Sequence, residues 1–356
     1  MGIRKAEPKG KEGTHPVGLT SPDRGGDMKQ NVDAMAAEKE QPVRRALPPW
    51  HSAMANFREP DSLKAARQVV TALVPYGCLW LLMIKTIRSG GPYWLTLALA
   101  AVAAAFLVRI FILFHDCVHG SLFRSKGLNT FFGYVFGVLV FTPFEDWRFS
   151  HLKHHGSYAN LDARGFGDIW TMTRKEYDAS SWGIRLGYRL YRNPLVLLGL
   201  GALFSFLLRF RLPGHQTKRK ERMSVLFTNL LIVGVALIAA WAVGWRTYVL
   251  IQLPVIWLAG ALGIWLFYVQ HQFEGVYWAR RNDWDPLRAA MKGSSFYDLP
   301  PVLRWFSGNI GYHHVHHLGP RIPNYRLKEC FEAFPALQAR QPLTLRNSLA
   351  SIHLKL

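Results

Sequence analysis

The chain is 356 residues long, with 43 Lys and Arg against 23 Asp and Glu. Its 50% hydrophobic content and 13 Trp exclude a disordered chain, and three cysteines with no CxxC pair exclude a disulfide framework or a zinc ribbon. Residues 1–60 hold 10 basic and 8 acidic side chains, which leaves 33 against 15, or +18 of the net +20, for the rest; such a surplus suits nucleic acid, anionic lipid or an acidic protein.

Residues 1–60 read as a disordered tail. They are rich in Gly, Pro, Lys and Glu and carry no sustained apolar period, so burial cannot offset the entropy of ordering them. No charged segment runs into an apolar one there, so no cleavable signal peptide is expected. Folding is expected to begin near Pro60, with Asp61 or Ser62 capping a helix.

Four segments then have the length and polarity of membrane spans: residues 69–84, 93–114, 225–243 and 248–269. A bilayer core of about 30 Å needs about 20 helical residues, and the first segment reaches that with its flanks, Lys85 snorkelling outward. Spans of this kind fit lipid as the partner of the basic surplus and do not fit a nucleic-acid-binding protein. Two shorter apolar runs, 131–142 and 194–208, read as interfacial or re-entrant. The longer reaches only about 22 Å at 1.5 Å per residue. If it crossed, Arg209, Arg211, Lys218, Arg219, Lys220 and Arg222 would face outward, against the positive-inside bias. The expected architecture is therefore an all-α integral membrane protein with four transmembrane helices in two hairpins. The hairpins turn outside at Arg88–Pro92 and Gly244–Arg246, and both termini and a helical cap lie in the cytosol.

Nine of the fourteen histidines fall in a chemically suggestive pattern. His115 and His119 form HxxxH directly after the second span; His151, His154 and His155 form HxxHH; His271 follows the fourth span; and His313, His316 and His317 form a second HxxHH. Residues at i, i+3 and i+4 share a helix face, and neutral imidazole is a good ligand for iron, zinc or copper. In the four-span arrangement all nine emerge at the cytosolic surface, whereas a crossing by 194–208 would strand His271 and the third cluster. Nine ligands exceed the need of one ion and suit two irons of four or five nitrogens each. Cys117, at i+2 from both histidines of the first pair, points off their face.

The segments HDCVHGSLF, WRFSHLKHHGSYAN, FYVQHQFEGVYW and NIGYHHVHHLGPRIPNYRL resemble the histidine boxes and intervening histidine of the integral-membrane fatty acid desaturases, most of all the omega-6/delta-12 type. The resemblance spans residues 61–335, with 336–356 as a C-terminal tail. It implies two non-haem Fe ions in the cytosolic cap, held by His115, His119, His151, His154, His155, His271, His313, His316 and His317. It also implies O2-dependent insertion of a double bond into a lipid-, CoA- or carrier-protein-linked fatty acyl chain, with electrons from ferredoxin or a cytochrome b5-type donor. In a bacterium the membrane would be the inner one.

His314 falls one position out of register, as a supporting or packing residue. In animal acyl-CoA desaturases an Asn stands four residues before the isolated His; here that position is Phe267, and Asn309 is the substitute, unless it is a turn residue. Among Asp116, Asp146, Asp162 and Asp168, Asp116 is the favoured partner of a ligand imidazole. Arg109, inside a span, has no assigned role. The chain shows no fused cytochrome b5 around His15-Pro16-Val17-Gly18 and no four-cysteine cluster, so the reductant is expected to be a separate protein. Two alternatives remain: a di-iron membrane hydroxylase acting on fatty acid, alkane or carotenoid, and a membrane metal transporter, which would carry its ligands at mid-span.

Overall fold

A computed structural model of the chain describes residues 48–214 and 216–354, so His15 and His215 lie outside the described residues. The first elements already move the expected boundary. Helix α1 (Pro49–Ala53) and the turn Met54–Phe57 were expected to belong to the tail, yet Met54 is fully buried. Trp50 and Phe57 pack with it against Phe334, and Asp61 N–H donates to the Tyr325 hydroxyl. An apolar triplet at 50, 54 and 57 is one helical face, long enough to dock though too short to signal itself.

Among the described residues four helices are long and apolar enough to cross a membrane: α2 (Ser62–Arg88), α3 (Tyr93–His119), then α9 (Arg219–Val243) and α10 (Trp245–His271). Asp61 caps α2, accepting from Leu63 N at 2.9 Å and Lys64 N at 3.0 Å. Their outer faces carry bare hydrophobic residues such as Leu81, Leu237 and Trp241. α3 is the central helix, packed on α2 and α10. At 27 residues each, α3 and α10 are about 40 Å long, longer than the about 30 Å hydrocarbon core. The C-terminal ends of these two helices carry His115, His119 and His271.

Both hairpin turns lie at the opposite end. Arg88 donates to the Ala242 carbonyl at 2.9 Å, and Gly90 and Gly244 supply the positive φ that closes each turn.

Between the hairpins, α4 (Lys126–Leu139) and α5 (Phe144–Ser157) meet at 101°. Phe141 in the left-handed region and Pro143 break the helix there. A short α6 (Arg174–Ala179) precedes α7 (Trp182–Tyr191) and α8 (Leu195–Arg211), which meet at 68° beside Pro194. α4 reaches about 21 Å and α8 about 25 Å, so neither leg crosses a bilayer alone. The basic loop after α8 sits against the histidine-bearing side: Gly214 N–H donates to Asp146, Lys153 to Gln216, and Lys220 pairs with Glu145.

The cap is completed by α11 (Pro286–Gly293), α12 (Pro301–Phe306), α13 (His313–Leu318), α14 (Asn324–Ala333), α15 (Pro335–Gln338) and α16 (Leu345–Ser348). Residues 336–354 are packed rather than a free tail. Strand β2 (Leu343–Thr344) pairs in parallel with β1 (Tyr297–Asp298), Leu337 is fully buried, and the Tyr297 hydroxyl lies 3.0 Å from Ser348 Oγ. Among the described residues the protein is all-α apart from this two-stranded ribbon.

The docked N-terminal segment makes a first prediction. Met54→Ala should cost about 2–4 kcal/mol, read as a lowered melting temperature of the detergent-solubilised protein, whereas Leu63→Ala, at 80% exposure, should leave it nearly unchanged.

Candidate metal centre

Three helices and one helix end converge at the membrane-facing floor of the cap. α3 brings His115 and His119, α5 brings His151, His154 and His155, α10 ends on His271, and α13 brings His313, His316 and His317. All nine imidazoles named from the sequence lie in one cluster, which divides into two groups. His115, His119, His151, His155 and His316 form the first, their ligand atoms all within 4.8 Å of one another. His154, His271 and His317 form the second, and His313 joins it, its Nε2 2.9 Å from that of His271 and 3.1 Å from that of His317.

The expectation that each HxxHH points three imidazoles one way is refined here. In both motifs the i and i+4 residues serve one group and the i+3 residue the other.

The nitrogen spacings identify what fits between them. Nε2 atoms stand 3.0 Å apart in His119–His151, 3.2 Å in His151–His155, 3.0 Å in His155–His316 and 3.3 Å in His154–His271. These contacts cannot all be hydrogen bonds, because the single Nε2 of His151 faces two neighbours and offers either one proton or one lone pair. A metal–nitrogen bond of about 2.1 Å separates ligands at right angles by about 3.0 Å, and ligands in a tetrahedron by about 3.4 Å. Most of the spacings match the right-angled case, and the donor set is nitrogen throughout. Burial, and then the charge of neighbouring imidazoles, hold His313, His316 and His317 well below the ordinary imidazole pKa. They are therefore neutral, with lone pairs free to bind a cation.

The surrounding groups correct several expectations. Asp116 does not orient a ligand: it lies 3.6 Å from His115 Nδ1, and its Oδ2 accepts from the backbone N–H and side-chain amide of Asn324, both at 2.8 Å. Adjacent residues on a helix diverge by about 100°, which carries Asp116 off the face of His115. The orienting carboxylate is Asp168, 2.7 Å from His154 Nδ1. Its loop turns at Gly165 and Gly167, both at positive φ, and Gly165 N–H donates to Asp168 Oδ2. The Gly-Phe-Gly-Asp sequence was the signal available for it. Asp146 accepts from Gly214, and Asp162 pairs with Arg280 at 2.6 Å.

Asn309 also turns away. It occupies a left-handed turn position and donates to the Asn324 carbonyl. Phe267 instead sets its ring 4.8 Å from that of His271 and 5.4 Å from that of His154. His314 lies outside the cluster, with Nε2 3.1 Å from the Leu337 carbonyl and its ring against Phe331. Arg109 gains a role: it donates to the Trp305 carbonyl and lies 3.9 Å over the Trp305 ring, tying α3 to α12. Beside the second group, Tyr158, Ile169, Phe267 and Trp278 wall a cavity of about 10 Å³.

This is an all-helical membrane protein whose histidine cluster suits a two-iron centre. Residues 92–347 match the family model described as Fatty acid desaturase. Over 303 residues, 85% of this chain and 86% of the relative, it is 43% identical to a fatty acid desaturase of Bacillus subtilis (strain 168). It is 27% identical over 280 residues, 77% of each chain, to the sn-1 oleoyl-lipid 12-desaturase of Picosynechococcus sp. (strain ATCC 27264 / PCC 7002 / PR-6). Over 244 residues, 63% of each chain, it is 28% identical to the sn-1 acyl-lipid omega-3 desaturase (ferredoxin) of Synechocystis sp. (strain ATCC 27184 / PCC 6803 / Kazusa). The chain belongs to the fatty acid desaturase family, and acyl desaturation is the chemistry that membership supports.

Asp168→Asn keeps the shape of the side chain and removes the charge behind His154. Metal analysis of the purified variant should show retention at the second group weakened by about 10–100-fold, with the melting temperature of the metal-free protein nearly unchanged.

Proposed function

We propose that the chain is an O2-dependent fatty acyl desaturase with two non-haem irons, one held by His115, His119, His151, His155 and His316, the other by His154, His271, His313 and His317. The observation that carries this reading is the right-angled spacing of buried, neutral imidazole nitrogens that cannot satisfy one another. Two irons so held supply, with O2 and two electrons, the oxidising power needed to break an unactivated C–H bond.

The chain's own residues hold the substrate and keep water out. Tyr158, Ile169, Phe267 and Trp278 present an apolar wall beside His154 and His271, which would seat one methylene pair of an extended acyl chain. Asp168 fixes the tautomer and orientation of His154. Phe267, where a polar side chain could have stood, keeps this face dry.

The acyl chain is lipid-, CoA- or carrier-protein-linked, and the two electrons that the reduction of O2 needs beyond those taken from the acyl chain come from a separate ferredoxin or cytochrome b5-type protein. The Synechocystis relative's name, which includes ferredoxin, supports the first kind of donor. A hydroxylase would use the same ligands and differ in product. A transporter is disfavoured because His115, His119 and His271 occupy helix ends rather than mid-span positions.

Fatty-acid profiling of a host expressing the gene should show a new double bond, and the freshly purified protein should carry about two irons per chain; stoichiometric zinc without iron, or an alcohol as sole product, refutes the reading. His119→Ala, His155→Ala or His316→Ala should abolish product in a membrane-inserted protein, while His314→Ala should keep measurable activity.

We also propose that the cap, both termini and the basic loop around Gln216 face the cytosol, where anionic lipid and the insertion bias favour the basic surplus. In a Cys78→Ala background, Ser89→Cys and Arg246→Cys should react with a membrane-impermeant maleimide on intact cells. Gln216→Cys and Arg281→Cys should react only after permeabilisation.

A further inference from the structure

One open cavity in the cap has no part in the site described above. It is a groove of about 730 Å³ between the segment after His271, the end of α11 and the C-terminal residues 336–354. Its floor and walls include Phe273, Met291 and Leu343, and its polar lining includes Lys292, Arg340 and the exposed carboxylate of Glu274.

Arg58, Arg109, Arg192, Arg211 and Arg340 each have a buried Nε without a hydrogen-bond partner, and of these Arg340 lines the groove. Its guanidinium is largely buried, donates to the Met291 carbonyl and lies 4.9 Å from the Phe273 ring. It makes no ion pair among the described residues, and its Nε is buried without a partner. Burying an uncompensated cation is costly, so such a group at the wall of an open groove calls for an anion from outside. Lys292 makes no ion pair among the described residues either, so the groove offers two cations against one exposed carboxylate.

The groove also adjoins the metal centre through shared walls. Along one segment His271 faces the imidazole cluster, Gln272 lines the small cavity and Phe273 lines the groove. Along the other, Gly293 lines the small cavity while Met291 and Lys292 line the groove. Gly293 is where the Tyr158 hydroxyl approaches; a Cβ there would stand 2.6 Å from it.

We infer that this groove binds the phosphate-bearing head group of the acyl substrate, with Arg340 and Lys292 as the anion contacts and Phe273 and Met291 against the first methylenes. The inference rests on the desaturase reading and names the head-group chemistry that reading leaves open. A phospholipid and a CoA thioester share that chemistry, and a neutral glycolipid lacks it.

The test uses the full-length, iron-loaded protein in maltoside micelles and three probes that carry a diazirine on the first methylenes beside the head group: phosphatidylglycerol, acyl-CoA and monogalactosyl diacylglycerol. At least one phosphate-bearing probe should cross-link to peptides within 273–295 or 336–354, about tenfold more than the galactosyl probe. Whichever phosphate probe labels identifies the source of the head group. Lys292→Gln and Arg340→Gln should each cut labelling severalfold, and Arg340→Lys should restore most of it. Because Arg340 also holds the Met291 carbonyl, the exposed Lys292 variant keeps the test independent of folding. Equal labelling by the neutral probe, or labelling indifferent to Lys292→Gln, overturns the inference. So does a groove that no probe labels and that a reduced ferredoxin shields from surface modification, which would make it a protein-docking site. If the wild type makes no double bond in a host, the desaturase reading fails, whatever the cross-linking shows.

Discussion

A buried polar nitrogen without a partner costs roughly 1–3 kcal/mol, and a domain is stable by only about 5–15 kcal/mol. Nine imidazoles facing one another in a dry pocket would consume a margin of that size if nothing lay between them. Protonation offers no relief, since burial, and then repulsion between neighbouring imidazoles, depresses the pKa values of His313, His316 and His317. Cations between the lone pairs would convert the repulsion into bonds. The rest of the cap can be understood as what is needed to hold that arrangement at the surface of a bilayer.

The end of α3 is the point on which this depends. Helix α3 carries two ligands, and the groups around it tie the other elements to it. Asp116 receives both donors of Asn324, whose side chain also exchanges hydrogen bonds with Gln68 on α2. Tyr325 joins Asp61 to this corner, and Arg109 fastens α12 below it. Asp116 and Asn324 thereby fix the start of α14, just after the helix that carries His313, His316 and His317. A carboxylate beside a ligand works here as an assembly joint, not as a partner of imidazole.

The long apolar helices and the clustering of nine histidines were legible because each rests on a local pattern. Twenty apolar residues, or imidazoles three and four apart, declare themselves without knowledge of the tertiary fold. What was missed depended on long-range contacts. Asp168 reaches His154 from fourteen residues further along the chain, and Met54 is buried in a cluster that includes Leu318 and Ile322. Asn309 was left open between a place at the site and a turn for a related reason: the left-handed turn that spends its amide on Asn324 depends on the docking of α14. Residues 336–354 looked like a tail because a two-residue strand has no period to read.

Helical geometry also explains why two ions, not one, suit these motifs. Along an α-helix each residue advances 100°, so i+4 lies about 40° to one side of i and i+3 about 60° to the other. An HxxHH therefore fans over about 100°, too wide to aim three rings at one point from a single straight helix. The cluster follows this division twice. His151 and His155 join one group while His154 joins the other, and His313 and His317 join one group while His316 joins the other. Since α5 and α13 contribute in opposite proportions, each helix spans both groups and sets their separation by its own residue step. The HxxxH of α3 has no i+3 histidine and stays wholly in one group, and the lone His271 supplies what the other lacks. Five and four nitrogens follow from these spacings alone.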